Sequence, residues 1–127
     1  MKNIEGFITF TYHKDINKAS EFYANILELE QVLDKDWVKI FRVGEDSHIG
    51  LVDSEKGYLK PRKEKPVMLS IFVKDVDEWY RKLSEKGVKT NQPPKESDEI
   101  HMKGFLTWDP SGYVIEIFQF LTKPYGI

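Results

Sequence analysis

The sequence predicts an α+β fold made of two βαβββ modules, each a curled mixed sheet with one main helix on its outer side. Two observations carry this prediction. Lys14-Asp15-Ile16 recurs as Lys74-Asp75-Val76, sixty positions later, and both copies mark a change from a strand-like to a helix-like pattern. Three short strand-like segments then follow each helix. The two concave sheets are expected to form a cup around a cavity.

The first strand and the helix of each module follow from the residues around its Lys-Asp pair. Residues 7–12 and 67–73 are mostly apolar or β-branched, as expected for a buried strand. Downstream, apolar residues recur at helical spacing, namely Ile16, Ala19, Phe22, Tyr23 and Ile26 in module one and Val76, Trp79, Tyr80 and Leu83 in module two. Each stripe predicts a helix that packs on its sheet.

Capping signals mark the ends of these helices. Asp15 and Asp75 stand at the predicted N-caps, and Glu78 is expected to complete a capping box with Asp75. Gly87 is predicted to end the second helix, because glycine adopts the left-handed backbone conformation of a helix C-terminus without strain. The helices therefore have defined limits in the sequence.

The remaining strands are short. They are predicted at residues 29–33, 37–43 and 48–52 in module one and at residues 88–90, 102–108 and 113–120 in module two. The last two are joined by Asp109-Pro110-Ser111-Gly112, where Pro110 suits a type I turn and Gly112 suits the left-handed residue after it. This turn predicts an antiparallel hairpin.

Length and composition predict one domain, residues 1–127, with module one at about 5–53, a linker at about 54–65 and module two at about 66–121. Nineteen basic and 21 acidic side chains give a formal charge of −2 without a long block of one sign, which argues against nucleic acid as a partner. No apolar run has membrane-spanning length, and no secretion signal is recognisable. We therefore expect a cytoplasmic protein that binds no membrane. Without cysteine, only histidines and carboxylates remain as strong metal donors.

The order and spacing of these segments resemble the glyoxalase / bleomycin resistance / extradiol dioxygenase superfamily, also called the vicinal oxygen chelate superfamily. The resemblance spans nearly the whole chain. Its residues are Lys14-Asp15-Ile16, Phe22-Tyr23, Leu27, Val73-Lys74-Asp75-Val76, Gly87-Val88 and Asp109-Pro110-Ser111-Gly112-Tyr113-Val114-Ile115-Glu116. It implies a small-molecule ligand held between the two concave sheets. It also implies a homodimer, since members often pair through module edges.

The resemblance also locates the metal ligands of catalytic members, in the first and last strand of each module. The first-strand positions, seven residues before each capping aspartate, are Ile8 and Met68, and the last-strand positions are Gly50 and Glu116. Only Glu116 is a donor for a hard divalent ion. A two-residue shift in the fourth strand would place His48 at the Gly50 position and still leave two donors. The sequence therefore predicts no metal ligands and no cofactor, and a divalent metal is disfavoured.

Strand alternation separates Glu116 from the predicted core. Tyr113, Ile115 and Ile117 form the better helix-facing set, so Glu116 is expected to face the cavity among apolar neighbours. An unpaired carboxylate is costly there. Two interpretations remain open: Glu116 is held by a hydrogen bond from a neighbouring Tyr or Ser, or it acts as a general base or as an acceptor that anchors the ligand.

Other candidates line the same predicted cavity. Phe10 and Tyr12 share one face of the first strand in module one, and Met68, Ser70 and Phe72 share the matching face in module two. The two hydroxyl groups offer polar contacts, and the apolar side chains form a wall suited to a flat or apolar ligand. Ordinary packing between sheets is the favoured interpretation for Phe10 and Phe72, and for Tyr12 both interpretations stay open.

Trp37 and the three histidines are weaker candidates. Trp37 has two interpretations: it stacks on the ligand, or it anchors the hairpin in which it lies. The second interpretation is somewhat favoured. Surface positions explain His13, His48 and His101. His48 and His101 are also candidates for the rim of the pocket, because binding residues often lie on loops.

Two functions follow from these residues. The favoured one is a metal-free binding protein, similar to the drug-sequestering members of the superfamily, that holds an apolar or aromatic ligand between the two concave sheets. The alternative is a lyase, isomerase or dioxygenase-like enzyme that uses Glu116 as a base or metal ligand. Binding is favoured because the implied ligand positions carry apolar groups, and because no nucleophile and base pair is recognisable.

Overall fold

Both halves of the chain fold as the sequence repeat predicts, as a strand, a helix and three further strands. The structure is a computed structural model and describes residues 3–122. The chain divides into two units, Met1–Glu64 with module one and Lys65–Ile127 with module two. Two open, four-stranded mixed sheets and two helices confirm the predicted α+β class. None of the helices in residues 3–122 has the length and apolar character needed to cross a bilayer.

Module one forms a sheet with the strand order β1-β4-β3-β2, in which β1 runs parallel to β4 and the other pairs are antiparallel. Its elements are β1 (Phe7–His13), α1 (Ile16–Glu21), β2 (Glu30–Asp34), β3 (Val38–Val43) and β4 (Ser47–Asp53). The α1 helix continues as a π-helical turn, Phe22–Ile26. It packs on β1 and β4, and the Tyr23 ring of the π-helical turn lies 6.0 Å from the Phe41 ring.

His13 belongs to this helix-facing side of the sheet, so its interpretation as a surface residue is wrong. Its side chain is fully buried, and Nε2 lies 2.6 Å from Thr11 Oγ1. The Thr11 hydroxyl donates to the Gly50 carbonyl at 3.1 Å. Because a hydroxyl has a single proton, His13 must donate from Nε2 to Thr11. The free-energy cost of burying this polar side chain is offset by its hydrogen bond to Thr11.

Module two repeats the arrangement with the strand order β5-β8-β7-β6, in which β5 runs parallel to β8. Its elements are β5 (Met68–Phe72), α2 (Val76–Glu85), β6 (Lys95–Ser97), β7 (Met102–Trp108) and β8 (Val114–Phe120). The strand predicted at residues 88–90 is wrong, since Thr90 forms only an isolated bridge with Thr107. The Asn91 side chain instead accepts a hydrogen bond from the Leu106 N–H at 2.8 Å, and the edge strand forms further along, at β6.

Both predicted N-caps and the predicted C-terminal glycine are confirmed. The Asp15 carboxylate accepts the Lys18 N–H at 3.0 Å, and the Asp75 carboxylate accepts the Glu78 N–H at 3.1 Å. Gly87 has a φ of +74°, which a residue with a side chain rarely adopts. The capping box stays a prediction.

The turn between β7 and β8 also forms as predicted. Gly112 has a φ of +91°, and its N–H donates to the Asp109 carbonyl at 3.0 Å. The buried Asp109 side chain holds the turn from inside, because its Oδ1 accepts the N–H groups of Ser111 at 2.9 Å and Tyr113 at 3.0 Å. These bonds set the register of the whole hairpin.

Candidate functional site

Each sheet has one face turned away from its helix, which we call the open face of the module. In module two, α2 packs on β7 and β8, and the Tyr80 ring lies 5.3 Å from the Phe105 ring. Tyr113, Ile115 and Ile117 are buried on this helix side. The predicted alternation of β8 is therefore confirmed, and Glu116 lies on the open face.

Three rows of side chains across β5, β8 and β7 form the open face of module two. Paired positions are Met68, Val114 and Trp108 in the first row, Ser70, Glu116 and Leu106 in the second, and Phe72, Phe118 and Gly104 in the third. The flanking Met68 and Phe72 are 51% and 55% exposed. The structure thus brings together four of the five candidates of module two, all except His101, with apolar side chains on both sides of the Ser70 and Glu116 pair.

Glu116 at the centre of this face is hydrogen-bonded to Ser70. The Ser70 hydroxyl donates to Glu116 Oε1 at 2.9 Å, and Glu116 is half-buried. The predicted hydrogen bond from a neighbouring serine is therefore confirmed. This bond occupies one carboxylate oxygen and leaves acceptor sites on the second for a ligand.

Three phenylalanine rings pack together as an aromatic cluster at one end of the open face. The Phe72 ring lies 6.0 Å from the Phe118 ring and 5.4 Å from the Phe120 ring, and the last two rings are 4.8 Å apart. These distances are in the range of favourable aromatic contacts, and both pairs that involve Phe120 are edge-to-face. The cluster holds Phe72 in place while leaving more than half of it exposed.

Trp108 and Leu106 belong to the open face but were absent from the sequence prediction. The β7–β8 register places Trp108 opposite Val114 and Leu106 opposite Glu116. Trp108 is half-buried, and Lys89 Nζ lies 5.7 Å from the centre of its ring. The signal was present in the sequence, because a tight turn at residues 109–112 fixes which residues of the two strands lie opposite each other.

The open face of module one is built differently at its centre. Phe10 pairs with Gly50 in the β1–β4 register, and a Cβ atom on Gly50 would lie 2.4 Å from the Phe10 ring. The ring therefore covers the space in which a side chain at position 50 would stand. Tyr12, on the same face, has its ring against Gly57, where a Cβ atom would lie 2.9 Å away. Both aromatic rings thus rest on glycines.

The two registers also test the alignment of the fourth strand. Phe10 corresponds to Ser70 through the sixty-residue repeat, and their partners are Gly50 and Glu116. Gly50 is therefore the counterpart of Glu116, and the shift that would place His48 there is excluded. The same position carries a hydrogen-bonded carboxylate in module two and an aromatic ring over a glycine in module one.

The residues present do not fit the metal site that the resemblance implies. Three of its four positions are Ile8, Met68 and Gly50, which offer no nitrogen or oxygen side-chain donor. Glu116, the fourth, is held by Ser70. Across residues 3–122, no group of three or more His, Asp or Glu side chains is placed to hold a metal ion.

Trp37 is not brought together with Phe10 and Tyr12. The Asp53 N–H donates to the Trp37 carbonyl at 2.9 Å, which places Trp37 one row beyond the Val38 and Val52 pair. Successive rows alternate between the faces, so this row belongs to the helix side. Trp37 is 43% exposed at the start of its hairpin.

The two remaining histidines lie in different surroundings. His48 is half-buried on the open face of module one, in the row between Ile8 and Arg42. His101 is exposed just before β7, with a φ of +53°, and its carbonyl accepts the Leu121 N–H at 2.8 Å. His48 therefore shares a face with Phe10 and Tyr12, whereas His101 lies at the end of the β7–β8 pair.

Comparisons with known proteins agree with this architecture. Residues 9–117 match the family model described as the Glyoxalase/Bleomycin resistance protein/Dioxygenase superfamily. Over 117 residues the chain is 31% identical to Uncharacterized protein YraH of Bacillus subtilis (strain 168), covering 84% of this chain and 91% of that protein.

Two solved structures share the fold at low sequence identity. A glyoxalase/bleomycin resistance protein/dioxygenase from Nocardioides has a TM-score of 0.77 and 19% identity, covering 100% of this chain and 91% of that chain. A lactoylglutathione lyase from Agrobacterium tumefaciens has a TM-score of 0.75 and 20% identity, covering 94% of this chain and 95% of that chain. At these identities the likeness concerns the fold alone.

Proposed function

Because this chain belongs to the glyoxalase/bleomycin resistance protein/dioxygenase superfamily, we propose that it is a small-molecule-binding protein, and that the open face of module two holds an apolar or aromatic ligand. One observation carries the proposal. Half-exposed Met68 and Phe72 flank the hydrogen-bonded Ser70 and Glu116 pair on one face of the sheet. An apolar surface with a few convergent polar groups is typical of ligand sites.

The dimensions of the open face suit a ligand of two fused or linked rings. Rows on one face of a strand are two residues apart, so three rows span about 13 Å, and three adjacent strands span about 10 Å. Exposed apolar residues are ordinary when scattered singly. Here Met68, Phe72, Leu106 and Trp108 lie in adjacent rows of β5 and β7, which provides a continuous surface for a flat molecule.

The proposed binding needs no metal ion. The apolar rows supply the contact area, and the Ser70 and Glu116 pair supplies a polar anchor that orients the ligand. The homodimer and the cytoplasmic location stay predictions of the sequence.

A second candidate is an enzyme, a lyase or isomerase in which Glu116 acts as general base. The position of Glu116 on the open face favours it, because one carboxylate oxygen is held by Ser70 and the second can accept a proton from a ligand. The Glu116→Gln variant separates the two functions, since proton transfer requires the carboxylate and binding of an uncharged aromatic molecule does not. A dioxygenase-like reaction at a metal bound by Glu116 is not supported by the side chains at the other implied positions.

Binding at the open face is tested with N-phenylnaphthylamine, an uncharged aromatic dye that accepts excitation energy from tryptophan. In a Trp37→Phe, Trp79→Phe protein, Trp108 is the remaining tryptophan, so energy transfer comes from one donor on this face, and the substitution of Phe72 assigns the dye to the face. We expect saturable transfer. Phe72→Ser should weaken binding about tenfold, because the ring loses its contact with the dye.

The matched control is Tyr58→Ser, which removes an aromatic ring that is 95% exposed in the linker. This variant should bind the dye as the parent does, and circular dichroism should show that both variants are folded. Absence of saturable transfer from Trp108, or equal weakening by the two substitutions, would disprove binding at this face.

A further inference from the structure

The two polar side chains at the centre of the open face of module two, Ser70 and Glu116, offer hydrogen-bond acceptors to a ligand. Ser70 has one hydroxyl proton and donates it to Glu116 Oε1 at 2.9 Å, so its oxygen is left as an acceptor. An ionised carboxylate has only acceptor sites, about four in total. A ligand that satisfies this centre must therefore bring the hydrogen-bond donor itself.

The charge at the centre of the face is negative. Among the nine residues of the three rows, Glu116 is the one with an ionised side chain. The cations nearby lie toward the opposite edge: Lys95 is on β6, where it pairs with Gly104, and Lys89 Nζ lies 5.7 Å from the Trp108 ring. A positively charged group is thus favoured beside Ser70 and Glu116, on the β5 side of the sheet.

The neighbours of Glu116 also suit a cation. Phe72 lies in the next row, about 7 Å along β5 from Ser70, and more than half of its ring is exposed. A cation bound at Glu116 on the side of Phe72 can approach this ring, and an aromatic face within about 6 Å attracts an organic cation. Half-burial of Glu116 between apolar rows makes a charge-assisted hydrogen bond stronger than at a fully hydrated surface.

We infer that the open face of module two selects organic amines, that is, ligands with an aromatic ring and a protonated nitrogen that donates hydrogen bonds to Glu116. This inference rests on the proposed function and specifies the chemical class of its ligand. The aromatic part lies on the apolar rows, and the ammonium group bonds to the carboxylate and to the Ser70 oxygen.

Three probes with the same ring test the inference: naphthylmethylammonium, naphthylmethanol and naphthoate, each titrated by isothermal calorimetry. The cation should bind about tenfold more tightly than the neutral alcohol, since one charge-assisted hydrogen bond is worth about that factor, and the anion should bind most weakly. In Glu116→Gln the cation and the alcohol should bind within about twofold of each other, because the amide keeps the shape without the charge.

The matched control is Glu96→Gln, which removes the same charge from an exposed position on β6 that alternates onto the helix side. It should preserve the preference for the cation. Equal binding of cation and alcohol to the parent protein, or a preference that Glu116→Gln leaves intact or that Glu96→Gln also abolishes, would overturn the inference while the proposed function stands. If the neutral alcohol and the cation both fail to bind, the proposed function itself is wrong.

Discussion

Replacement of Gly104 by alanine is expected to destabilise module two by about 3 kcal/mol, because the new methyl group overlaps the neighbouring strand. A Cβ atom at this position would lie 2.7 Å from Phe118 Cβ, 2.9 Å from the Ile117 carbonyl oxygen and 3.3 Å from Phe118 Cα. These atoms belong to the backbone or are fixed to it, so rotation of a side chain cannot relieve the overlap. The β7–β8 pair itself must move apart.

Equilibrium unfolding in urea, followed by far-ultraviolet circular dichroism, measures this loss of stability. Gly6→Ala is the matched control, because the added methyl group would lie 3.6 Å from the Asp46 carbonyl oxygen, an ordinary contact. Its unfolding free energy should change by no more than about 0.5 kcal/mol. A Gly104→Ala protein as stable as the parent would show that the two strands do not approach as closely as described.

Replacement of Asp109 by alanine is expected to cost about 3 kcal/mol, through the turn that sets the register of the open face. Asp109 is 4% exposed, and its Oδ1 accepts the N–H groups of Ser111 and Tyr113. Alanine removes the acceptor of both bonds, of which the one from Tyr113 is buried and the one from Ser111 is partly buried. Hydrogen bonds to a charged acceptor contribute more than neutral ones.

Asp109→Asn separates the hydrogen bonds from the charge, because the amide oxygen still accepts from the same N–H groups. The asparagine variant should therefore keep most of the stability that the alanine variant loses, as measured by thermal unfolding at equal protein concentration. Equal destabilisation by the two substitutions would assign the effect to the charge of Asp109, and no effect of either would refute its role in the turn.

The fold was predictable wherever a local signal determines the backbone. Asp15 and Asp75 cap their helices, and the turn at residues 109–112 fixes the β7–β8 register and the face of Glu116. In each case the residues that carry the signal also make the contact. Such short-range hydrogen bonds need no knowledge of the rest of the chain.

Other parts of the fold depend on contacts between distant segments. β6 (Lys95–Ser97) is a polar edge strand without apolar alternation, so its sequence gives no sign of a strand, and the strand was predicted at residues 88–90 instead. His13 lies between Tyr12 and Lys14 and resembles a surface residue. His13 can be buried because its ring is hydrogen-bonded to Thr11. The Thr11 hydroxyl in turn donates to the Gly50 carbonyl on the neighbouring strand.

The candidate site was predictable only in part, because strand alternation is a local signal whereas strand pairing is not. Alternation along β5 and β8 placed Met68, Ser70, Phe72 and Glu116 on one face, and the register confirms their rows. The hydrogen bond between Ser70 and Glu116 joins residues 46 positions apart. Their pairing follows from the parallel register of β5 and β8, which sequence alternation alone does not determine.

Ligand binding at the open face of module two is tested most directly by nuclear magnetic resonance of methionine and leucine methyl groups. Addition of N-phenylnaphthylamine should shift the methyl signals of Met68 and Leu106, which lie on this face. Leu83, buried on α2 at 1% exposure, should keep its signals. Saturable shifts at Met68 and Leu106 are the predicted result, and unchanged signals from both at saturating dye would contradict it.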